Sequence, residues 1–435
     1  MKGWYSEMIT YRLNEMTGAQ LRALLSRDDV DLNEPAKRAR GIIDDVRRRG
    51  DKALRIYARR FDGFKGGPLT IPADAVKSSG KRVRREVLDA LKLSKRRIED
   101  FHRRQMPKPF AYSDSAGILG QKVVPLDRVG VYVPGGSAAY MSSVLMACVP
   151  AKVAGVEDLA ICTPGRAGIV QDEILAAAEL CGVREIHPIG GAHSIAAMAY
   201  GTNSIPKVQK IVGPGGAYVT AAKLLVRNDC EIDFLAGPSE VLIIADGKAD
   251  PEQLALDMLA QLEHDPLARA LLVTDSDDVL ESTKSELERG LVSADRREVV
   301  MSSASKGAVF VLVDDIGEAI GFSNEYAPEH LLIDVENPKE MLTKVRSAGS
   351  VFLGRYSSVA FGDYCSGTNH ILPTKGVADV KSALSVMDFL KLIPYQELSS
   401  SGARKLSKTV ETLARSEGLP AHAEAALARA RKVKR

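Results

Sequence analysis

The feature that most restricts this fold is a rhythm: a short apolar strand, often a glycine-rich turn, an Ala- and Leu-rich helix, then another strand. Between residues 129 and 239 the strands are Val129–Val133, Leu159–Thr163, Glu185–Ile189 and Lys210–Val212. The first ends in Pro134-Gly135-Gly136, the third in Gly190-Gly191, and the fourth in Gly213-Pro214-Gly215-Gly216. Parallel neighbours need a crossover helix, so this alternation specifies a doubly wound parallel sheet. Such sheets bind ligands at the carboxyl ends of their strands, where glycine lets the backbone approach closely. A second run follows at Glu240–Ile244, Ala270–Thr274, Ala308–Leu312, His330–Val335 and Ser350–Leu353. Two α/β units in one chain imply a cleft between them.

The flanks read differently. Residues 1–22 form a short arm, and residues 33–60 and 74–106 show helical periodicity with long charged faces. Lys122–Val124 carries a strand signal, and from about residue 385 the chain reads as helical, ending in a basic tail. A net charge of +3 implies no acidic or basic polymer as partner. The basic clusters Arg47-Arg48-Arg49, Lys81 to Arg85, Lys95-Arg96-Arg97 and Arg429 to Arg435 read as solvated helix faces, not a nucleic-acid surface. No apolar run reaches the length of a membrane span, and no signal-peptide pattern opens the chain. The five cysteines are scattered, with no CxxC pair, which points to reduced thiols in a cytosolic protein.

Several segments carry groups capable of chemistry. No GxGxxG fingerprint is present, and each glycine turn taken singly is either a tight turn or a ligand edge. Of seven histidines, His102 lies in a charged helix and is expected in solvent, and His187 lies within a strand and is expected to be structural. His193, His264, His330, His370 and His422 sit at element ends or in polar loops, where binding groups concentrate. A helix is expected over 251–264, with Asp250 as N-cap, Pro251 at the first position and Gln253 closing a capping box. Gln261 and His264 share a face in its last turn, either as a polar helix end or as an oxygen and a nitrogen offered to a metal. Glu329-His330 opens a strand after a proline turn and supplies the side chains usual in proton transfer. The loop 361–370 is dense in possible ligands, and Glu417 and His422 flank a Gly/Pro turn.

Together these segments resemble the histidinol dehydrogenase family, over about residues 35 to 425. The likeness is carried by VGVYVPGGSA, KIVGPGGAYVTAAK, AGPSEVLIIAD, QLEHDP, YAPEHL, GDYCSGTNHILPT and EGLPAH. The resemblance implies an α/β fold of two incomplete Rossmann-like domains with small terminal helical segments. The expected partition is an arm at 1–22, a first domain from 23–131 and 240–384, a second domain at 132–239, and a helical tail at 385–435. The resemblance further implies oxidation of L-histidinol to L-histidine via L-histidinal, with two NAD reduced, in the cytoplasm. It implies one zinc per subunit on Gln261, His264, Asp363 and His422, and a catalytic pair, Glu329 and His330. It implies substrate contacts at Ser239, His330, His370 and Glu417 as well as at the metal ligands, and NAD contacts at Tyr132, His193 and Gly216. A homodimer is implied, each subunit lending its tail, with Glu417 and His422, to the other's site. Two positions depart from the family: His193 stands where Gln is usual, and Gly216 where Asn is usual. Two other readings remain: a paralogous dehydrogenase of another small polar alcohol, such as a sulfonated diol, and a metal-bearing binding protein that no longer uses NAD. Retention of Ser239 and of Tyr364-Cys365-Ser366-Gly367 favours histidinol over the diol.

Overall fold

The computed structural model describes residues 8–27, 31–135, 140–165, 169–234 and 237–431, so Gly136 of the first glycine turn and the last four residues of the basic tail lie outside the described residues. The chain opens with β1 (Ile9–Arg12), α1 (Gly18–Ser26), α2 (Asn33–Arg49), α3 (Asp51–Phe61), α4 (Ala73–Lys77) and α5 (Arg85–Arg104). It continues through β2 (Phe110–Ser113), β3 (Gly117–Pro125), β4 (Arg128–Tyr132), α6 (Met141–Ala154), β5 (Asp158–Cys162), α7 (Asp172–Leu180), β6 (Glu185–His187) and α8 (Gly191–Tyr200). Next come β7 (Lys210–Val212), α9 (Ala217–Val226), β8 (Glu231–Ile232), β9 (Glu240–Ala245), α10 (Pro251–Leu262), β10 (Arg269–Thr274), α11 (Asp277–Ser293) and α12 (Arg297–Gly307). The remainder is β11 (Ala308–Leu312), α13 (Ile316–Tyr326), β12 (His330–Asp334), α14 (Pro338–Leu342), β13 (Ser350–Leu353), α15 (Val359–Tyr364), β14 (Leu390–Leu398), α16 (Ser400–Ser416) and α17 (Pro420–Ala430).

Both glycine-punctuated runs form parallel sheets, as their continuous apolar strands require. The first has the order β6-β5-β4-β7-β8 and the second β1-β11-β10-β9-β12-β13. Apart from β1, the two share one topology: the first strand is central, the next two lie on one side, and the last two on the other. That is the strand order of a Rossmann sheet lacking its sixth strand. Four buried cores lie on the faces of these sheets, one on each face, and β9 and β11 are buried along their whole length.

Four details differ from the sequence expectation. Residues 8–26 are no free arm: β1 pairs in parallel with β11, and Leu24 of α1 joins the core containing Leu242 and Leu271. Helices α2, α3 and α5, expected to pack with residues 240–384, pack on the first sheet instead. Ile43, Val46 and Leu54 meet Ile195 and Val219, while Leu91 and Ile98 meet Val144 and Leu145. Periodicity shows that a helix has an apolar face, not which sheet covers it. The segment expected to be wholly helical after 385 contains β14, which pairs antiparallel with β3 in a third sheet of order β14-β3-β2. At α10, Asp250 accepts from the Glu252 N–H at 3.1 Å, but Gln253 donates its amide to the Asp250 carboxylate, so no capping box closes.

His102 is also not in solvent. It is fully buried on α5, bonded to Gln105 at 2.7 Å and 3.4 Å from Asn369, because the loop around 364–370 folds over this face of the helix.

Candidate active site

The first residues of two neighbouring strands, Glu240 of β9 and His330 of β12, bring the candidate catalytic pair together. Glu240 N–H donates to Glu329 Oε2 at 2.8 Å, and Glu329 N–H donates back to Glu240 Oε1 at 3.3 Å. His330 Nδ1 lies 3.0 Å from the Glu240 carbonyl. A carbonyl only accepts, so Nδ1 carries a proton, and in the neutral ring Nε2 carries the lone pair. That Nε2 is buried, without a hydrogen-bond partner among the described residues, and 3.6 Å from Asp363 Oδ1. Burial pushes the Glu329 carboxyl up to about 8, although His330 and the Glu240 N–H oppose it. Burial pulls the His330 imidazole down, but the acidic Glu329 and Asp363 outweigh it and raise its proton affinity.

Asp363 belongs to α15, and Gln261 to the last turn of α10. These helices are tied where Ser358 donates to Asp257 at 2.5 Å. The loop after α15 is bound to α5: Ser94 donates to the Tyr364 carbonyl, and Arg97 to the carbonyls of Cys365 (2.8 Å) and Ser366 (3.1 Å). His370 Nδ1–H donates to the Asp363 carbonyl at 2.8 Å, so its Nε2 accepts from Ser143 at the start of α6, 3.2 Å away. Gly237 N–H donates to Thr374 Oγ1. Through Ser143 and Gly237, segments leaving the carboxyl edge of the first sheet meet the loop that closes the amino edge of the second.

A cation suits this cluster. Burial raises the proton affinity of Asp363, but His330, His370 and His264 outweigh it and hold the carboxylate ionised. Gln261 is buried with its Nε2 unpartnered. A half-turn of that amide places its oxygen, an acceptor, in the same position. The described residues contain no group of three or more His, Cys, Asp or Glu side chains placed to hold a metal. His264 and Asp363 are the two such candidates that one chain supplies beside Gln261.

Glu417 and His422 are not part of this cluster. They are exposed, at the end of α16 and in the first turn of α17, and neither side chain has a hydrogen-bond or ion-pair partner among the described residues. Ser239 is half-buried just before β9, its carbonyl taken by the Arg269 N–H at 3.1 Å. A separate cavity of about 510 Å3 is lined by His102, Asn369, Ser350 and Ser385, and by none of the candidate catalytic or metal residues.

At the first sheet, β4 and β7 flank the point where strand order reverses. A Cβ on Gly213 would lie 2.1 Å from the Tyr132 carbonyl, and the residue has φ of 112°, so only glycine fits this turn. Tyr132 is buried, its phenol pushed up to about 12, and its oxygen receives the Gly191 N–H at 3.4 Å. His193 is turned inward: its Nε2 lies 2.7 Å from Asp62 Oδ2, and its buried Nδ1 has no partner among the described residues. Gly216 precedes α9, and a Cβ added there would have no atom within 4 Å.

Several supporting residues escape motif reading. Glu240, Asp62, Asp257, Arg97 and Ser143 act through contacts to segments far away in the chain. Glu240 alone had a visible cue, as the first residue of an apolar strand just after Ser239.

Comparison with known proteins places this arrangement. A family model described as histidinol dehydrogenase matches residues 25–430. A histidinol dehydrogenase of Methanosarcina barkeri is 45% identical over 423 residues, spanning 96% of this chain and 97% of the relative. One of Agrobacterium fabrum is 46% identical over 387 residues, spanning 88% and 90%. The crystal structure of histidinol dehydrogenase from Elizabethkingia anophelis superposes with a TM-score of 0.94 at 35% identity, covering 98% of this chain and 99% of that one. With most of its length matched by sequence and by fold, this chain belongs to the histidinol dehydrogenase family of oxidoreductases.

Proposed function

We propose that this chain oxidises L-histidinol to L-histidine through L-histidinal in cytoplasmic histidine biosynthesis, reducing two NAD and using one zinc per subunit. The observation that carries this reading is the lone Nε2 of His330, fixed in its tautomer by the Glu240 carbonyl and aimed beside Asp363.

Gln261, His264 and Asp363 would hold the metal, with His422 of a second copy completing the set. When bound, zinc supplies a Lewis acid that orients the substrate hydroxyl and makes it more acidic. His330 Nε2 would accept the proton of the substrate hydroxyl, and NAD at the edge of the first sheet would supply the acceptor for the hydride of the carbon bearing that hydroxyl. The aldehyde must add water before a second hydride can leave. Glu329 has one oxygen held by the Glu240 N–H and the other unbonded among the described residues; as the carboxylate it removes a proton from that water. Ser239, His370 and the second copy's Glu417 would bind the polar ends of histidinol. A site with buried polar groups rejects substrates that leave those groups unpaired.

Tyr132, the Gly190-Gly191 turn and Gly216 form the edge proposed for NAD. His193 contributes there through Asp62, by fixing the turn, since its Nε2 is already committed. The test is turnover of purified chain with histidinol and NAD, with and without a chelator. Two NADH per histidinol, abolished by chelation and restored by zinc, are expected. One NADH per substrate would make it an ordinary alcohol dehydrogenase, and none would reject the assignment.

A further inference from the structure

A nearly enclosed ion pair lies behind the catalytic residues. Arg27, just after α1, forms a two-pronged bond with Glu240: Nε to Oε2 at 2.7 Å and Nη2 to Oε1 at 2.8 Å. Their side chains are only 8% and 3% exposed. Nη2 also donates to the carbonyls of Tyr326 and Ala327, where α13 ends. The guanidinium stacks 3.8 Å from the centre of the Tyr326 ring, and the Tyr326 hydroxyl donates to Glu240 Oε2 at 3.0 Å. Each Glu240 carboxylate oxygen is therefore doubly engaged: Oε2 by Arg27 and Tyr326, Oε1 by Arg27 and the Glu329 N–H.

Replacing a buried ion pair with apolar groups of the same shape is often neutral or stabilising. Fold stability alone is thus a weak reason for this one. Arg27 also holds a conformation costly for a non-glycine residue, with φ of 50° and ψ of 143°, and Ala327 sits at φ of 48°. The second cost falls where the chain turns from α13 into Glu329-His330, and the first in the residue whose side chain reaches that turn. The guanidinium is enclosed on a further side by Gly376, where a Cβ would come within 2.6 Å of Nη1.

We infer that Arg27, acting through Glu240, is a positioning residue for both catalytic side chains. It clamps the end of α13, which sets where Glu329 and His330 begin, and it fixes the carboxylate whose own backbone N–H holds Glu329 and whose carbonyl holds His330. The segment that carries it thereby controls a site built on strands more than two hundred residues later.

The inference rests on the reading of Glu329 and His330 as the proton-transfer groups. It is tested in the full-length, zinc-supplemented enzyme with Arg27→Ala, Arg27→Lys and Tyr326→Phe. Displacing catalytic groups by about an ångström costs on the order of a hundredfold in rate. Arg27→Ala should lower kcat to about that extent, with KM for histidinol within about twofold of wild type and zinc content unchanged. Added guanidinium ion should restore part of the rate, since it can refill the stacked, two-pronged site. Lysine cannot reproduce that geometry and should recover less than a tenth of wild-type kcat, by order of magnitude. Should Arg27→Ala not fold, Tyr326→Phe keeps the stack, removes one bond to Glu240, and should lower kcat by about threefold to tenfold. Wild-type kcat in a folded Arg27→Ala, a loss that guanidinium does not relieve, a loss that follows zinc content, or wild-type kcat in Tyr326→Phe would each overturn it. Failure of the wild type itself to oxidise histidinol would defeat the functional assignment instead.

Discussion

Burying Glu329 gives the folded chain a proton that it would not hold unfolded. The carboxyl lies 4% exposed and is pushed from its ordinary 4.5 up to about 8. Between those values the native state binds more protons than the unfolded state, so this group's contribution to stability falls as pH rises from about 4.5 to about 8. Glutamine at this position is neutral at every pH and still offers an oxygen to the Glu240 N–H. In the zinc-free chain, Glu329→Gln should therefore match the wild type near pH 5. By pH 9 it should exceed it by roughly 2–4 kcal/mol in urea unfolding. An unfolding midpoint that differs equally at both pH values would count against the shift. The same variant should slow the second oxidation more than the first, because only the second needs water activated.

At the scale of elements, the spacing of the proposed metal ligands Gln261 and Asp363 depends on how α10 sits against α15. The Ser358–Asp257 hydrogen bond joins them one helical turn from Gln261. Ser358→Ala should weaken zinc binding by about tenfold, read by competition with a chelator, because outer contacts of this kind orient metal ligands. Unchanged zinc affinity would show that packing alone sets the helix position. The central strands of both sheets were legible because a continuous apolar run of four to six residues, bounded by glycine turns, is too short for a buried helix and too apolar for a loop. Strand β14 was not: Leu390–Leu398 contains Pro394 with the charged Lys391 and Glu397, a mixture that an edge strand tolerates and a central one does not. Strand β1 is four residues long with alternating exposure, too short to show a period. The candidate site was legible where residues cluster in sequence, as at Glu329-His330 and 361–370. Arg27 and Asp62 were invisible because a lone charge in an amphipathic stretch looks like any solvated residue until the fold buries it.

For the whole molecule, Glu417 and His422 face outward, and the proposed reaction has them act in the site of a second copy. The third sheet and α16 expose a run of large apolar groups, including Phe110, Tyr112, Tyr395 and Leu413. A second copy of the chain would cover such a surface and lend its tail to the site. Mixing His330→Asn chains with His422→Asn chains tests this. Each is expected to be inactive alone, the second also lacking zinc. A randomly mixed dimer population should regain about a quarter of wild-type activity, since half the dimers carry one intact site. Mixtures as inactive as their parents would place His422 in its own chain's site. The pairing of β1 with β11 has a consequence for synthesis. Ile9 must wait for Val309 before it has a neighbour in the sheet. The five strands of the first sheet can be made and packed meanwhile, so β1, made before them, is among the last elements to dock, and contacts between such distant partners form slowly. A nascent chain of this kind carries an unclaimed strand through most of its translation, and a bulky fusion ahead of that strand would burden the last step of folding rather than the first.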